Sequence, residues 1–410
     1  MDYRLLADRY GTPLYVYDFD YMASQYETLK NSFNGKKSLI AYALKANSNL
    51  SVIARFASLG AGADCVSYGE VRRALIAGVP KYKIIFSGVG KLDEEIKGAL
   101  DEDILFINCE SEAELRRVEF IAQTLGKQAR ISVRVNPAID AKTHPYISTG
   151  LKENKFGVDI ATAKRLYIYA KNSERLEPIG IHFHIGSQLT DITPIAEAAD
   201  KVADLARSLI ALDIDLKFFD VGGGIGVTYK DEAAFDLSEY ASKIALAIKG
   251  LDLTIICEPG RFLTAGGGVF LTRVLYEKHT DAKRFVVVDG AMNDLIRPAL
   301  YNAYHRIEAI GKSGGENVCD VVGPICESGD FFAKNAPLPP VERGDLLAAH
   351  TTGAYGFTMS SNFNSRRRAA EVAVENGEDR LIRERETYDD LLAGEIKLLK
   401  ADSQPKSRVF

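Results

Sequence analysis

From about residue 39 to 261, short apolar runs alternate with stretches of helical period. The apolar runs predict eight strands: Leu39–Ala46, Gly62–Ser67, Lys83–Gly88, Asp103–Glu110, Ala129–Pro137, Pro178–Gly186, Leu216–Gly224 and Leu253–Arg261. Between them, Ser111–Leu125, Ile160–Asn172, Pro194–Leu212 and Leu237–Lys249 are amphipathic at helical spacing. Strands that alternate with helices imply right-handed βαβ crossovers and a parallel sheet. Eight evenly spaced units in roughly 220 residues fit a closed (β/α)8 TIM barrel. An open doubly wound sheet is the alternative, but it would not require eight.

Past Arg261 the rhythm changes. Gly266-Gly267-Gly268 interrupts it, and short alternating runs follow at Val269–Tyr276, Arg284–Asp289, Val318–Val322, Asp345–Ala349 and Arg367–Val374. These predict a C-terminal antiparallel β domain, a sandwich or small barrel. The early strand-like run Pro13–Tyr17 precedes an already complete barrel and is expected to join the β domain. The expected boundaries are 25–265 for the barrel and 1–24 plus 266–396 for the β domain. Glu386–Gly394 reads as a short terminal helix, and the polar tail over 397–410 as loose.

Composition narrows the class of protein. The chain has 410 residues, 46% hydrophobic and 26% charged, which is globular composition with length for two domains. No apolar run reaches membrane-spanning length and the N-terminus has no secretory core, so no membrane partner is expected. A net charge of −5 speaks against a nucleic-acid partner. The five cysteines are odd in number and widely spaced, which points to free thiols and a cytoplasmic location.

The unusual residues fall at predicted strand ends, where barrel enzymes build their sites. Lys45 ends the first strand. A lysine buried there favours a free amine, suited to a Schiff base with an aldehyde. Asp64 lies within the second strand, Arg134 and Asn136 end the fifth, and His182 and His184 end the sixth. Asp220-Val-Gly222-Gly223-Gly224 closes the seventh, where bare amides approach a phosphate. Glu258-Pro259-Gly260-Arg261 closes the eighth with further amides. The pair His182-x-His184 invites a metal reading, which is set aside because no further histidine or paired carboxylates complete a coordination shell. A planar imidazole against an aromatic cofactor fits better, and Glu258 suits a heteroaromatic ring nitrogen. Schiff-base lysine, phosphate cradle, stacking histidine and ring-nitrogen carboxylate together specify pyridoxal 5′-phosphate.

The segments Tyr42-Ala-Leu-Lys-Ala-Asn47, His182-Phe-His-Ile-Gly-Ser-Gln188, Asp220-Val-Gly-Gly-Gly224 and Glu258-Pro-Gly-Arg261 resemble the alanine-racemase-like, fold-type III pyridoxal-phosphate decarboxylases. Further segments narrow the resemblance to the branch that converts meso-2,6-diaminopimelate to L-lysine and CO2. They are Thr143–Gly150, Lys155-Phe-Gly157, Ile296–Tyr301, Gly323–Asp330 and Gly353-Ala-Tyr-Gly356. The resemblance implies that Lys45 bonds the cofactor aldehyde and His184 stacks on its ring. Asp64, Arg134, Ser187, Gly222, Gly223, Gly224, Pro259, Gly260 and Tyr355 belong to the implied cofactor set, with Glu258 on the ring nitrogen. Arg261, Arg297 and Tyr301 are implied to bind the distal carboxylate, Glu327 the distal amine, and Tyr355 both substrate and phosphate. Cys326 is the implied proton donor, on a loop that reaches the partner's site in a homodimer. An alanine racemase would lack the Cys-Glu loop. Ornithine, arginine and carboxynorspermidine decarboxylases would need a different distal pocket, and a non-enzymatic carrier would end near residue 260.

Overall fold

The computed structural model describes residues 1–140, 155–233, 235–315 and 317–402. The segment Thr143–Gly150 and the last eight residues lie outside the described residues. The chain forms two compact units: Phe19–Gly267, and Met1–Asp18 together with Gly268–Phe410.

The chain opens with helix α1 (Tyr3–Tyr10) and strand β1 (Leu14–Asp18), then enters the first-named unit through α2 (Phe19–Ser32). There follow β2 (Ser38–Ala43), α3 (Leu50–Ser58), β3 (Gly62–Cys65), α4 (Tyr68–Ile76), β4 (Ile84–Phe86), α5 (Asp93–Glu102), β5 (Phe106–Cys109) and α6 (Glu112–Thr124). Then come β6 (Ala129–Arg134), α7 (Ile160–Lys171), β7 (Leu176–His182), α8 (Thr193–Ile210), β8 (Phe218–Asp220), α9 (Leu237–Ala247), β9 (Thr254–Cys257) and the short α10 (Arg261–Thr264). Strands β2 to β9 close into one parallel barrel, as the alternating pattern predicts. Every predicted strand is present but shorter, because the runs continue into the turns that leave the barrel. Ala41, Ile85, Phe106, Ile179 and Ile256 come from five different strands and form one buried cluster. Asn49, Ser67, Ser111, Asp159 and Asp236 each accept backbone N–H bonds at the start of a helix, so the strand-to-helix turns carry their own caps.

The register fixes which strand ends stand side by side. Ala43 pairs with Asp64, Arg134 with His182, His182 with Asp220, and Asp220 with Ile256, two residues before Glu258. Chemistry-bearing residues distant in sequence thus share one rim.

The second unit holds β10 (Gly268–His279), β11 (Arg284–Val288), α11 (Arg297–Tyr301), β12 (Ile307–Ala309), β13 (Asn317–Val322), β14 (Phe331–Leu338), β15 (Leu346–His350), β16 (Ala370–Glu375), β17 (Glu378–Arg383) and α12 (Tyr388–Asp402). The sheet runs β14-β13-β11-β10-β1-β16-β17, with β15 on β10 and β12 on β15. The N-terminal strand therefore does join this sheet. The sheet is mostly antiparallel, as expected, with two parallel pairings, β1 with β16 and β11 with β13. Connections long enough to return a strand in the same direction permit this. Leu6, Leu14, Val16, Leu271, Leu346, Ala348, Val372 and neighbours form the core under α1. On the other face Tyr17 donates to the buried Glu371 at 2.7 Å.

Several elements escaped the apolar pattern. Helix α1 has three charged residues in eight and is held by Asp2, which accepts from Arg4 N and Leu5 N. Strands β14 and β17 lie at the two ends of the sheet and carry Lys334, Pro337 and several charges, as edge strands do. The terminal helix is longer than Glu386–Gly394 and extends to Asp402.

Leu271 is fully buried at the centre of the β-domain core. Leu271→Ala is expected to lower that unit's unfolding free energy by about 2–5 kcal/mol, the range for a large-to-small change at a site that relaxes only partly. Denaturant unfolding followed by tyrosine fluorescence measures it, and an unchanged midpoint would contradict the packing described.

Candidate active site

Lys45 stands just beyond β2, where the chain turns through one 3-10 turn, Leu44–Ala46. Its Nζ donates to Asp64 Oδ2 at 3.1 Å. Asp64 is completely buried, but the Lys45 side chain keeps 39% of its exposure. The expectation of a lysine buried in an apolar strand end is therefore corrected. The strand stops three residues earlier than its apolar run suggests, and the amine meets a carboxylate at the rim. Burial and the charge of Glu258 raise the Asp64 carboxyl above its ordinary range, against the opposing pull of Lys45.

Arg134 is buried at the end of β6 and donates to Glu110 Oε1 at 2.9 Å, while Glu110 Oε2 accepts from Gly157 N. Glu110 thus ties the arginine to the segment that returns towards α7. It was legible only as the last residue of a predicted strand. Arg134 also reaches the His184 carbonyl at 3.4 Å and lies over the Phe156 ring. Asn136 follows this strand and accepts from Ala138 N through Oδ1.

His184 lies beyond β7 and accepts a hydrogen bond on Nδ1 from Gly223 N at 3.1 Å. That places the ring proton of the neutral form on Nε2. Burial, and then the charges of Arg134 and Lys45, push this imidazole well below its ordinary pKa. The result is a neutral, oriented, planar ring against the glycine turn. Gly222 makes the close approach possible. It sits at φ +65°, and a Cβ there would meet the His184 ring at 2.8 Å. Gly223 is equally constrained, with a Cβ position 2.2 Å from the Glu258 carbonyl. The seventh and eighth turns lock together where Glu258 N donates to Gly222 O at 2.8 Å, and the eighth turn meets β2 where Ala43 N donates to Pro259 O. Arg261 opens α10 and donates to Ser187 Oγ at 3.1 Å and to Tyr229 OH at 2.8 Å. Tyr229 carried no signal in sequence, because it lies in an irregular loop.

Behind this rim, one atom each of His182, Asp220 and Glu258 lie within 4.8 Å of one another, all buried. The ground for setting a metal aside was that no carboxylates complete the histidine's surroundings. That ground fails, because Asp220 and Glu258 close on His182 through the barrel register. His182 Nε2 is 3.5 Å from Glu258 Oε2, and Asp220 Oδ1 accepts from Gly222 N at 2.9 Å. Burial opposes a charge on Glu258, but His182, Lys45 and His184 outweigh it and hold the carboxyl below its ordinary range. Burial, and then the charge of Glu258, push Asp220 well above its own. Two carboxylates this close in a dry setting do not both ionise. The directions of the two shifts favour the charge on Glu258 and the proton on Asp220. Glu258 Oε1 is buried without a protein hydrogen bond.

The remaining candidates lie in the other compact unit, on separate segments. Arg297 is buried at the start of α11 and Tyr301 ends that helix. Cys326 and Glu327 are exposed on the loop between β13 and β14. That loop is braced by Asp330, which accepts from Met292 N and Ile325 N, each at 2.7 Å. Cys326 N donates to Asn364 Oδ1 at 3.1 Å. Tyr355 has φ +57°, a left-handed conformation that costs a bulky residue energy and is characteristic of functional positions.

The barrel rim defines a class: a (β/α)8 enzyme whose lysine amine, neutral imidazole, buried carboxylate and glycine-lined turns suit pyridoxal phosphate. The fit rests on Glu258 Oε1, an acceptor awaiting a donor, and on two turns whose backbones a Cβ would obstruct. Residues 20–265 match the pyridoxal binding domain of the pyridoxal-dependent decarboxylases. Diaminopimelate decarboxylase of Campylobacter jejuni is 59% identical over 98% of this chain and 100% of its own length. That of Helicobacter pylori is 56% identical over 97% and 99%. A crystal structure of the Helicobacter pylori enzyme complexed with L-lysine superposes with a TM-score of 0.94 at 55% identity, covering 97% of this chain and 100% of that one. The chain belongs to the diaminopimelate decarboxylase family of pyridoxal-dependent decarboxylases.

The upward shift of the Asp220 carboxyl has a measurable consequence. Below the ordinary carboxyl value of 3.8, Asp220 is protonated whether the chain is folded or unfolded. Above it, only the unfolded chain gains by ionising, so stability is lost as pH rises. Asp220→Asn cannot ionise and is expected to be more stable than the parent at pH 7, with the difference shrinking towards pH 4. Denaturant unfolding of the cofactor-free protein at both pH values checks this, and an Asn variant that is weaker at pH 7 would show an ionised Asp220.

Proposed function

We propose that this chain is a pyridoxal-phosphate enzyme that decarboxylates meso-2,6-diaminopimelate to L-lysine and CO2. The observation that carries the reading is the convergence, on one barrel rim, of the Lys45 amine, the His184 ring accepting from Gly223 N, and the Glu258 carboxylate with a buried oxygen that has no protein hydrogen bond. The L-lysine bound in the Helicobacter pylori relative is the product this reaction requires. Bound pyridoxal phosphate supplies an electron sink for the pair left when the carboxylate departs.

The chain's own residues do the rest. Lys45 offers the amine that attaches to the cofactor aldehyde, with Asp64 as its counter-charge. Glu258 accepts from the ring nitrogen and keeps it protonated, which deepens the sink. Gly222, Gly223, Gly224, Pro259, Gly260, Ser187 and Arg261 form the phosphate cradle, and Arg134 backs the His184 segment. On the β domain, Arg297 and Tyr301, together with Arg261, hold the distal carboxylate. Glu327 holds the distal amine, Tyr355 bridges substrate and phosphate, and the Cys326 thiol returns a proton to the carbon that lost the carboxylate. A guanidinium suits the distal end because its planar fork matches a carboxylate. The reading extends to a cytoplasmic homodimer in which Cys326 and Glu327 serve the partner's site. All five cysteines are free, and Cys326 is exposed on a braced loop. Among the described residues no helix is long and apolar enough to cross a membrane.

Lys45→Ala is expected to lose the visible absorbance of the bound cofactor and several orders of magnitude of activity. A variant that kept the band would mean that another lysine carries the cofactor. Shared sites are tested by mixing Lys45→Ala with Cys326→Ala. Random subunit exchange leaves half the dimers mixed with one intact site each, so about a quarter of parental activity should return. No recovery despite demonstrated exchange would mean that each site is built from one chain.

A further inference from the structure

We propose that Asp330 is a positioning residue for the Cys326 thiol. Its carboxylate fixes the loop that carries the thiol against the turn before α11, and so sets the face from which the proton is returned. The proposal rests on the assignment of Cys326 to that proton return.

Cys326 lies on the loop 323–330 between β13 and β14. The loop closes on itself through its backbone. Gly323 N donates to the Asp330 carbonyl at 3.3 Å, Asp330 N to the Glu327 carbonyl at 3.0 Å, and Glu327 N to the Ile325 carbonyl at 2.8 Å. These bonds give the loop a shape, but its place in the unit comes from side chains. Asp330 is buried. Its Oδ2 accepts from Ile325 N, the residue before Cys326, at 2.7 Å, and its Oδ1 accepts from Met292 N at 2.7 Å. Gly323 leaves the room for this, since a Cβ there would stand 2.5 Å from Oδ2 and 2.7 Å from Oδ1. Cys326 N donates to Asn364 Oδ1 at 3.1 Å. Asn364 and Ser365 sit at φ +56° and +54°, a left-handed pair that persists only where its surroundings impose it. Asn293 closes the figure. Its carbonyl accepts from Ser361 N at 2.8 Å, its Nδ2 donates to the Ser361 carbonyl at 3.2 Å, and its Oδ1 accepts from Arg366 Nε at 3.1 Å. The segments 290–294, 323–330 and 361–366 thus hold one another in a triangle. Cys326 stands at one corner, with its backbone pinned and its side chain exposed.

The geometry at residue 330 calls for a carboxylate. Both oxygens accept, one from each segment. An amide of the same shape has one acceptor, so it would set its NH2 group against one of the two backbone N–H groups. Burial works against a charge here, and the two N–H bonds and Arg366 offset it only in part, so the carboxyl stands above its ordinary range. A buried charge is a poor device for stability alone. What it supplies here is a fixed backbone next to the thiol. The turn before α11 has supports of its own: Asp294 Oδ2 accepts from Ala291 N at 3.0 Å, and Tyr15 OH donates to the Asp294 carbonyl at 2.7 Å. Loss of the Asp330 bonds therefore moves the thiol more than it moves α11. In the step concerned, the carbon–carboxylate bond breaks and CO2 leaves. The electron pair left behind takes the thiol proton, and solvent then returns a proton to sulfur. A donor misplaced by about 1 Å loses roughly 100-fold in rate, and water competes for the carbon.

The test uses the cofactor-loaded enzyme with meso-diaminopimelate in D2O. The thiol then carries deuterium, and the ε-carbon of the lysine formed becomes CHD. A fixed donor yields one configuration there, and water yields both. The parent is expected to give one, read by NMR of the lysine after coupling to a chiral reagent. Asp330→Asn is expected to give both, to lower kcat roughly 10–100-fold, and to leave KM within about threefold and the absorbance of the bound cofactor parental. A lower kcat with lysine still formed in one configuration would make Asp330 merely structural and overturn the proposal. Parental kcat in Asp330→Asn would overturn it as well. Cys326→Ala tells this proposal from the reading beneath it. If Cys326→Ala gives both configurations and Asp330→Asn only one, the positioning role falls alone. If Cys326→Ala keeps parental kcat and one configuration, the donor assignment falls and takes the proposal with it. Should Asp330→Asn fail to fold, Gly323→Ala decides, because its methyl displaces the carboxylate without removing it. A folded Gly323→Ala with parental kcat and one configuration refutes the role.

Discussion

The rest of the barrel site depends on Glu258, a carboxylate buried just beyond β9 whose surroundings favour its charged form. A charge without water is costly unless its surroundings compensate it. Around Glu258, compensation comes from cationic or polar groups on other strands: His182 from β7, Lys45 beyond β2, and His184 beyond β7. Asp220 yields: burial and the charge of Glu258 push its carboxyl well above its ordinary range, which favours one negative charge over two in the dry space. The glycine turn is shaped by the same demand. Its backbone passes so close to Glu258 and His184 that side chains at Gly222 and Gly223 would collide with them. Electrostatics and sterics at this rim are one problem with one solution.

The β domain meets an opposite requirement. In the barrel an anion must be stabilised, whereas at α11 a buried cation must be. Arg134 and Lys91 show what this chain does with cations meant for structure: each is buried against a carboxylate, Glu110 and Glu114 respectively. Arg297 is buried too, with its Nη1 3.1 Å from His305 Nε2, and the proposed function gives it the distal carboxylate of the substrate as a further partner. Tyr355, in a strained backbone conformation, belongs to the same logic, since a cost of that kind persists where the surrounding fold imposes it.

Much of this was legible in the residue order. Alternation of apolar runs with amphipathic stretches is a local property, and it marked all eight barrel strands. The strand ends were overestimated because a buried turn is as apolar as the strand it leaves. At Lys45 that error hid a turn and an ion pair. Elements with weak apolar content, α1, β14 and β17, went unseen, since their stability comes from caps and edge pairing and not from burial. The parallel placements of β1 and β16 carried no signal, because period-two alternation is the same for either strand direction.

Lys45, His184, Glu258 and the glycine turn stood out by residue type alone, because few side chains perform their chemistry, and the pattern of spacing linked them to one cofactor. Sequence by itself thus determined the barrel, the cofactor class and the family. The tertiary structure decided which groups share a charge or a proton. Asp220 appears in sequence only as the start of a glycine-rich run, Glu110 as the end of a strand, and Asp330 as the last residue of a loop. Their roles arise from distances across strands and turns. Coulomb and hydrogen-bond interactions fall off over a few ångströms, and only closure of the barrel and the meeting of the β-domain loops bring those atoms within range.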